Sequence, residues 1–416
     1  MPRRPTKTPD LPEHVVATPE QLADCLAHLS EVSAIAFDTE FVGEDAYRPE
    51  LCLVQVATAE NLFVIDPFSC GPLDGFWNRL LDPDVTTVVH AGREDLRICN
   101  FAVGKPPANV FDVQLVVGLV GFSYPMGYAG LVQDLLGHRM TKGETLTDWR
   151  RRPLSVGQMR YAFDDVRYLL PAWKKLSDRL RRNHRTAWAK EECAGAVRRA
   201  VADDATVERW RKIKGLGSLN ERGLAVAREV YGWREKFAER VNRPPRFLLR
   251  DDLLAEIARR APTRIEDVQN LRGVPRGEAE AILEAIRRAR ELPPEECPEV
   301  EARENDPPNV LLLANLLGVV LADLCARLKL APNLVSSGSD LKAVVRARVA
   351  KEDLPDVPLT RGWRNDAILA ELLAVLDGTH TVRVAKPTSS APLAFVPVKA
   401  TVPPPEEDDE AVADTL

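Results

Sequence analysis

The sequence predicts an α/β domain with a mixed sheet flanked by helices, followed by two all-α domains, and three observations predict it. Residues 15–203 alternate short apolar, strand-like runs with helical patterns, whereas 204–291 and 309–383 read as helices punctuated by turns. The proline- and acid-rich stretch 292–308 separates the two helical regions as a linker. At 416 residues the chain also exceeds one ordinary hydrophobic core, so two or three domains are expected.

The first domain opens after MPRRPTKTPDLPEH, a basic stretch with no apolar run behind it; residues 1–14 read as a disordered leader. Strands follow at Ala34–Phe37, Leu51–Val56 and Leu62–Ile65, the last two joined by the turn Ala59-Glu60-Asn61, which makes an antiparallel meander. A helix near Leu73–Leu81 and a strand Thr86–His90 come next, and Ala91-Gly92 leads into a helix carrying Asp95. Ser155 is an N-cap for a long helical pattern through Arg182, with Pro171 expected to kink or break it. A further helix runs near Thr186–Ala202.

Acidic residues in three separated motifs stand out on this frame. Asp38 and Glu40 lie two apart at the end of the first strand, so their side chains share one face. Asp95 lies in a first helical turn, where the macrodipole favours an acid whatever its role; taken alone it reads as a surface residue. Tyr161 and Asp165 are four apart and share a helix face, whereas Asp164 is rotated about 100° away. Separated carboxylates that converge are what a two-metal phosphodiester-cleaving centre requires. Hard cations such as magnesium or manganese prefer oxygen ligands, and two of them about 3.5–4 Å apart activate water and stabilise a leaving oxygen. His90, at a strand end, reads as a hydrogen-bonding core residue.

The motifs FDTEF, HAGREDL, GYAGLVQDLLGHRMTKGETLTDWRRRPLS and YAFDDVRYLLPAW together resemble, in order, the exonuclease domain of the ribonuclease D family within the DEDD 3′→5′ exonuclease superfamily. The resemblance implies a ribonuclease H-like fold, two magnesium or manganese ions held by Asp38, Glu40, Asp95 and Asp165, and a nucleophilic water positioned by Tyr161. The superfamily's other branch has a histidine five residues before the last aspartate, where Arg160 stands here, so the tyrosine branch is indicated. Residues 204–291 resemble an HRDC domain, and 309–383 resemble, more weakly, a second one. The Leu271–Gly277 turn opens a helix and reads equally as a phosphate-holding N-terminus or as a glycine-capped connection.

Seven scattered cysteines without a CxxC pair suggest neither a zinc site nor a disulfide framework and fit a cytoplasmic protein. No apolar run reads as long enough to span a bilayer, and residues 384–416 read as a disordered acidic tail. The net charge of −6 is the wrong measure of a nucleic-acid partner, because residues 142–190 hold 13 Lys and Arg against 5 Asp and Glu. Lys142, Arg150, Arg151 and Arg152 are the candidate phosphate contacts. The expected activity is trimming of single-stranded 3′ ends on structured RNA such as transfer-RNA precursors, releasing nucleoside 5′-monophosphates, with no protein partner evident. A 3′→5′ DNA exonuclease and a catalytically silent RNA-binding scaffold are the alternatives, and a scaffold has no need of the intact acidic set.

Overall fold

The protein is described here by a computed structural model covering residues 10–140, 147–202, 208–300 and 306–398. The chain forms two compact units, one of Met1–Val120 with Pro125–Glu304 and one of Gly121–Tyr124 with Asn305–Leu416.

A six-stranded mixed sheet organises the first unit. Its strands are β1 (Glu13–Val16), β2 (Ala34–Val42), β3 (Glu50–Ala57), β4 (Leu62–Ile65), β5 (Thr86–Val89) and β6 (Val110–Asp112), in the spatial order β1-β4-β3-β2-β5-β6. The predicted meander is present: β2 pairs antiparallel with β3, and β3 with β4. The other neighbours, β1 with β4, β2 with β5 and β5 with β6, are parallel. β1 escapes the sequence reading because it opens on two polar residues and three of its four residues are exposed, and β6 because three residues are too short to show a period. β1 also corrects the leader: Glu13 and His14 pair with Leu62 and Phe63, while residues 1–9 lie outside the described ones.

Strand alternation sends Ile35 and Phe37 into a core with Leu22, Leu29, Phe76 and Trp77. Phe37, Phe76 and Trp77 meet edge-on, with centroids 4.8–6.3 Å apart. Asp38 and Glu40 therefore point to the other sheet face, against which the helix Val156–Arg167 packs. The predicted long helix is in fact two, Val156–Arg167 and Leu169–Arg182, parted at Tyr168. The break falls three residues ahead of Pro171, as the ring's clash with the preceding turn requires.

Between β5 and the helix Arg93–Val103 the chain turns through Ala91, in the left-handed region at φ 54°, and Gly92. The Asp112 carboxylate accepts the amides of Ala91 at 3.0 Å, Gly92 at 3.2 Å and Gln114 at 2.9 Å. The helical region of this unit is built on Glu221–Val241, Asp251–Arg260 and Ala279–Glu291 around Trp210, Leu224, Val230, Leu254, Ile257, Ile282 and Ile286.

In the second unit the helix Pro308–Leu328 is 21 residues long with a hydropathy of 2.0, enough to cross a membrane by length and composition. That corrects the expectation of no such run; a continuous-run reading stops at Asn315, whereas the average does not. Val310, Ala314, Leu317, Val320, Leu321 and Leu324 of this helix are buried, and it packs on Gly338–Ala350 and Ala370–Leu376. The expected tail is also corrected. β7 (His380–Val384) and β8 (Leu393–Pro397) form an antiparallel hairpin, fastened by the Leu393 amide on Asp323 at 2.8 Å and by Arg327 over the Phe395 ring. Prolines at 387, 392 and 397 mask the strand alternation, and residues 399–416 lie outside the described ones.

A Cβ added at Gly92 would stand 2.6 Å from Cγ2 of Val89, in a core that cannot yield. Gly92→Ala is expected to lower the unfolding free energy by about 1–3 kcal/mol in urea titrations.

Candidate active site

Asp38 and Glu40 sit in the middle and second half of β2, opposite Gln55 and Leu53 of β3, and the β2–β3 register shifts between Glu40 and Phe41. A bulge there turns the strand end and re-aims the Glu40 side chain. Asp165 comes from the facing helix. Its start is fixed by a capping box, in which the Gln158 amide donates to Ser155 Oγ at 3.1 Å and the Ser155 amide to Gln158 Oε1 at 2.9 Å. One carboxylate oxygen each from Asp38, Glu40 and Asp165 lies within 4.8 Å of the others.

Asp95 completes the set from a distance. It is buried, not exposed as its position alone suggests, and it accepts the Thr39 hydroxyl at 2.5 Å. Thr39 was not foreseen, because a threonine between two acids on a strand carries no signal of its own. Asp164 is no ligand candidate here, since it pairs with Arg167 at 2.9 Å, and Arg167 in turn reaches Glu13 of β1. Tyr161 is half-buried beside Trp149, with ring centroids 6.0 Å apart, and its hydroxyl is directed at Asp165. His90 bonds the Met126 carbonyl at 3.0 Å, and burial lowers its pKa, in line with a core role.

Tyr128 is a second residue that sequence reasoning missed. Its hydroxyl donates to the Asp164 carbonyl and accepts from the Tyr168 amide, both at 3.3 Å. Those two groups would otherwise bond to each other as one rung of a continuous helix. The hydroxyl therefore fills the break at Tyr168, three residues after Asp165, and satisfies both backbone groups. Gln55 is a third: it lies opposite Asp38 in the β2–β3 register, fully buried, and neither amide atom has a hydrogen-bond partner among the described residues.

Crowding acids into this space raises their pKa values. Burial is the leading cause throughout, reinforced by neighbouring carboxylates, and it lifts Glu40 to about 7, Asp165 to about 8 and Asp38 well above its usual range. Burial lifts Asp95 to about 6 against the opposing Thr39 hydrogen bond. Asp165 Oδ2 is buried without a partner among the described residues. An all-oxygen donor set with an orphaned carboxylate oxygen and an orphaned amide nearby fits a hard, hydrated cation.

A profile of the 3′-5′ exonuclease family matches residues 14–181, and an HRDC domain profile matches 223–289. The ribonuclease D of Gluconacetobacter diazotrophicus is 38% identical over 375 residues, covering 88% of this chain and 93% of its own. That of Acidiphilium cryptum is 37% identical over 382 residues, covering 87% and 94%. The chain belongs to the ribonuclease D family. Its structure is similar to the crystal structure of Escherichia coli RNase D, with a TM-score of 0.75 and 27% identity over 88% of this chain and 98% of that one. Ribonuclease D enzymes are 3′→5′ exoribonucleases of the metal-dependent DEDD class, and the carboxylate cluster stands within the matched exonuclease domain.

The basic loop of this ribonuclease D-family chain is largely committed to protein contacts. Arg150 pairs with Glu50 at 2.6 Å and Asp45 at 2.9 Å. Arg152 grips Asp66 at 2.5 and 3.0 Å and donates to the Cys52 and Trp149 carbonyls at 2.8 Å. Burial alone would raise the Asp66 pKa, yet these bonds hold it below its usual value. Arg151 is the most exposed of the three, its side chain 84% accessible with Asp148 at 3.6 Å, and Lys142 lies outside the described residues.

Because the folded chain holds these protons more tightly than the unfolded chain, the metal-free protein loses stability as pH rises from about 4 to about 8. Melting in chelator at pH 5.5 and 8 should show that fall, and Asp165→Asn should shrink it. Tyr128→Phe removes only the bridging hydroxyl; it is expected to cost about 1–2 kcal/mol of stability and to slow turnover about 10-fold with little change in KM. An unchanged turnover rate in steady-state assays would mean that the helix break holds without the bridge.

Proposed function

We propose that this chain is a two-metal 3′→5′ exoribonuclease that trims short single-stranded 3′ extensions from structured RNA, with transfer-RNA precursors as the substrate class, in the cytoplasm. The observation that carries the reading is the convergence of Asp38, Glu40 and Asp165 from a strand and a facing helix, with one Asp165 oxygen left unpartnered. The Escherichia coli relative, an exoribonuclease involved in structured RNA processing, supports the substrate class.

In this reading Asp38, Glu40, Asp95 and Asp165 hold two magnesium or manganese ions. Bound there, the ions supply a water activated at neutral pH and neutralisation of charge on the leaving oxygen. The chain's own groups do the rest. The Tyr161 hydroxyl, set beside Asp165, orients the attacking water towards phosphorus. The new P–O bond forms as the bond to the penultimate nucleotide's 3′ oxygen breaks, and the terminal residue leaves as a nucleoside 5′-monophosphate. Thr39 holds the Asp95 carboxylate in one orientation, and Arg167 keeps Asp164 out of the cluster.

End-labelled RNA incubated with the full-length chain should shorten from its 3′ end in magnesium or manganese and remain intact in chelator. DNA of the same sequence should be degraded more slowly; equal rates would favour a general 3′→5′ exonuclease. Asp38→Ala should abolish cleavage while RNA still binds, and wild-type turnover by that variant would sink the assignment. Tyr161→Phe should slow the single-turnover step roughly 100-fold or more.

A further inference from the structure

A cavity of about 490 Å³ lies between Arg93, at the start of the Arg93–Val103 helix, and the helical region beyond residue 208. Five basic side chains line it, Arg93, Arg209, Lys212, Arg234 and Arg246, against two acids, Glu235 and Asp251. The buried Arg234 takes both acids, at 3.5 Å and 2.7 Å, and Arg246 shares Asp251 at 3.1 Å, so the acids are neutralised within the wall. The surplus positive charge is therefore at the mouth. There the Arg93 side chain is 62% accessible, with its carboxylate neighbour Glu94 as far as 3.9 Å away. Lys212 is exposed, and its ammonium makes no hydrogen bond or ion pair among the described residues.

Phe247 stands among these cations with 70% of its surface in solvent, next to Arg246. Packing does not account for a phenyl ring so exposed. A groove that joins cations to an open aromatic face is the combination that holds single-stranded nucleic acid, the cations taking phosphates and the ring stacking a base. Arg93, which lines the cavity, and Asp95 stand on the first turn of the same helix. Repulsion between the carboxylates and the RNA backbone makes a nearby positive surface necessary, and Arg150 and Arg152 are already spent on carboxylates.

We propose that this cleft is a binding site for single-stranded RNA upstream of the cleaved nucleotide, with Lys212 and Arg93 on the phosphodiester backbone and Phe247 stacking a base. The proposal rests on the ribonuclease reading above, and its test is arranged to stand apart from it.

Fluorescein-labelled 12-nucleotide oligoadenylate is titrated with the full-length chain in chelator, where no cleavage occurs. Phe247→Ala should weaken binding about 10-fold, and Phe247→Trp should restore it. Lys212→Ala should reduce the slope of log affinity against log salt by about 0.7, and Lys212→Arg should restore it. Both sites are exposed, and melting curves establish that the variants fold. In magnesium, the ratio of kcat/KM on the 12-mer to that on a dinucleotide should fall for both alanine variants. Affinity within twofold of wild type and an unchanged salt slope would overturn the proposal. So would poly-glutamate binding that depends on Lys212 while RNA affinity does not, an outcome that assigns the cleft to an acidic protein. A wild-type chain that binds the 12-mer yet fails to cleave it in metal would instead remove the catalytic reading.

Discussion

Like charges forced together out of water are the constraint on which this fold turns. Carboxylates from the central strand β2 and from the facing helix stand within 4.8 Å of one another, and each would lower its energy by moving apart. They stay because each is mounted on an element that cannot move alone. β2 is hydrogen-bonded on both sides, by β3 and β5, and its other face is locked to Phe76 and Trp77. The facing helix is fixed at its start by Ser155 and Gln158 and near its end by Arg167, which ties it to β1 at the sheet edge. The repulsion is thus borne by rigid parts, and it makes the site receptive to a cation.

Charge elsewhere follows the same logic of neutralisation before exposure. The basic stretch around residue 150 holds the domain together first: Arg152 binds a buried aspartate and three carbonyls, and Arg150 spans two acids. Counting charges along a sequence cannot distinguish a guanidinium facing solvent from one committed to a partner a hundred residues away. The cleft lined by Arg93 and Lys212 has the opposite character, since its acids are paired with Arg234 and Arg246 within the wall and Lys212 is left at the surface.

The sequence carried the meander and the acidic pairs because both rest on local periods: alternation placed Asp38 with Glu40, and a four-residue step placed Tyr161 with Asp165. What it did not carry was set by distant partners. Asp95 looked like a surface residue because the hydroxyl that holds it belongs to Thr39, on another element. Gln55 became visible only once the register set it opposite Asp38, and Tyr128 only once its hydroxyl was found inside another segment's helix. The β7–β8 hairpin was hidden by prolines, and β1 by its largely exposed, half-polar sequence.

The Tyr128 bridge has a consequence for how the domain tolerates change. A helix interrupted by a hydroxyl from another segment exchanges one backbone bond for two side-chain bonds, and its regular ladder stops at Arg167 to resume at Leu169. Leu169–Arg182 can then be tilted by whatever its buried Leu170, Leu176 and Leu180 pack against, and the adjustment is absorbed at Tyr168 before it reaches Asp165. Substitutions along the second half can accumulate and reshape the outer layer of the domain, while the first half keeps its aim. The joint works as a mechanical fuse, separating the part of the chain free to drift from the part that is not.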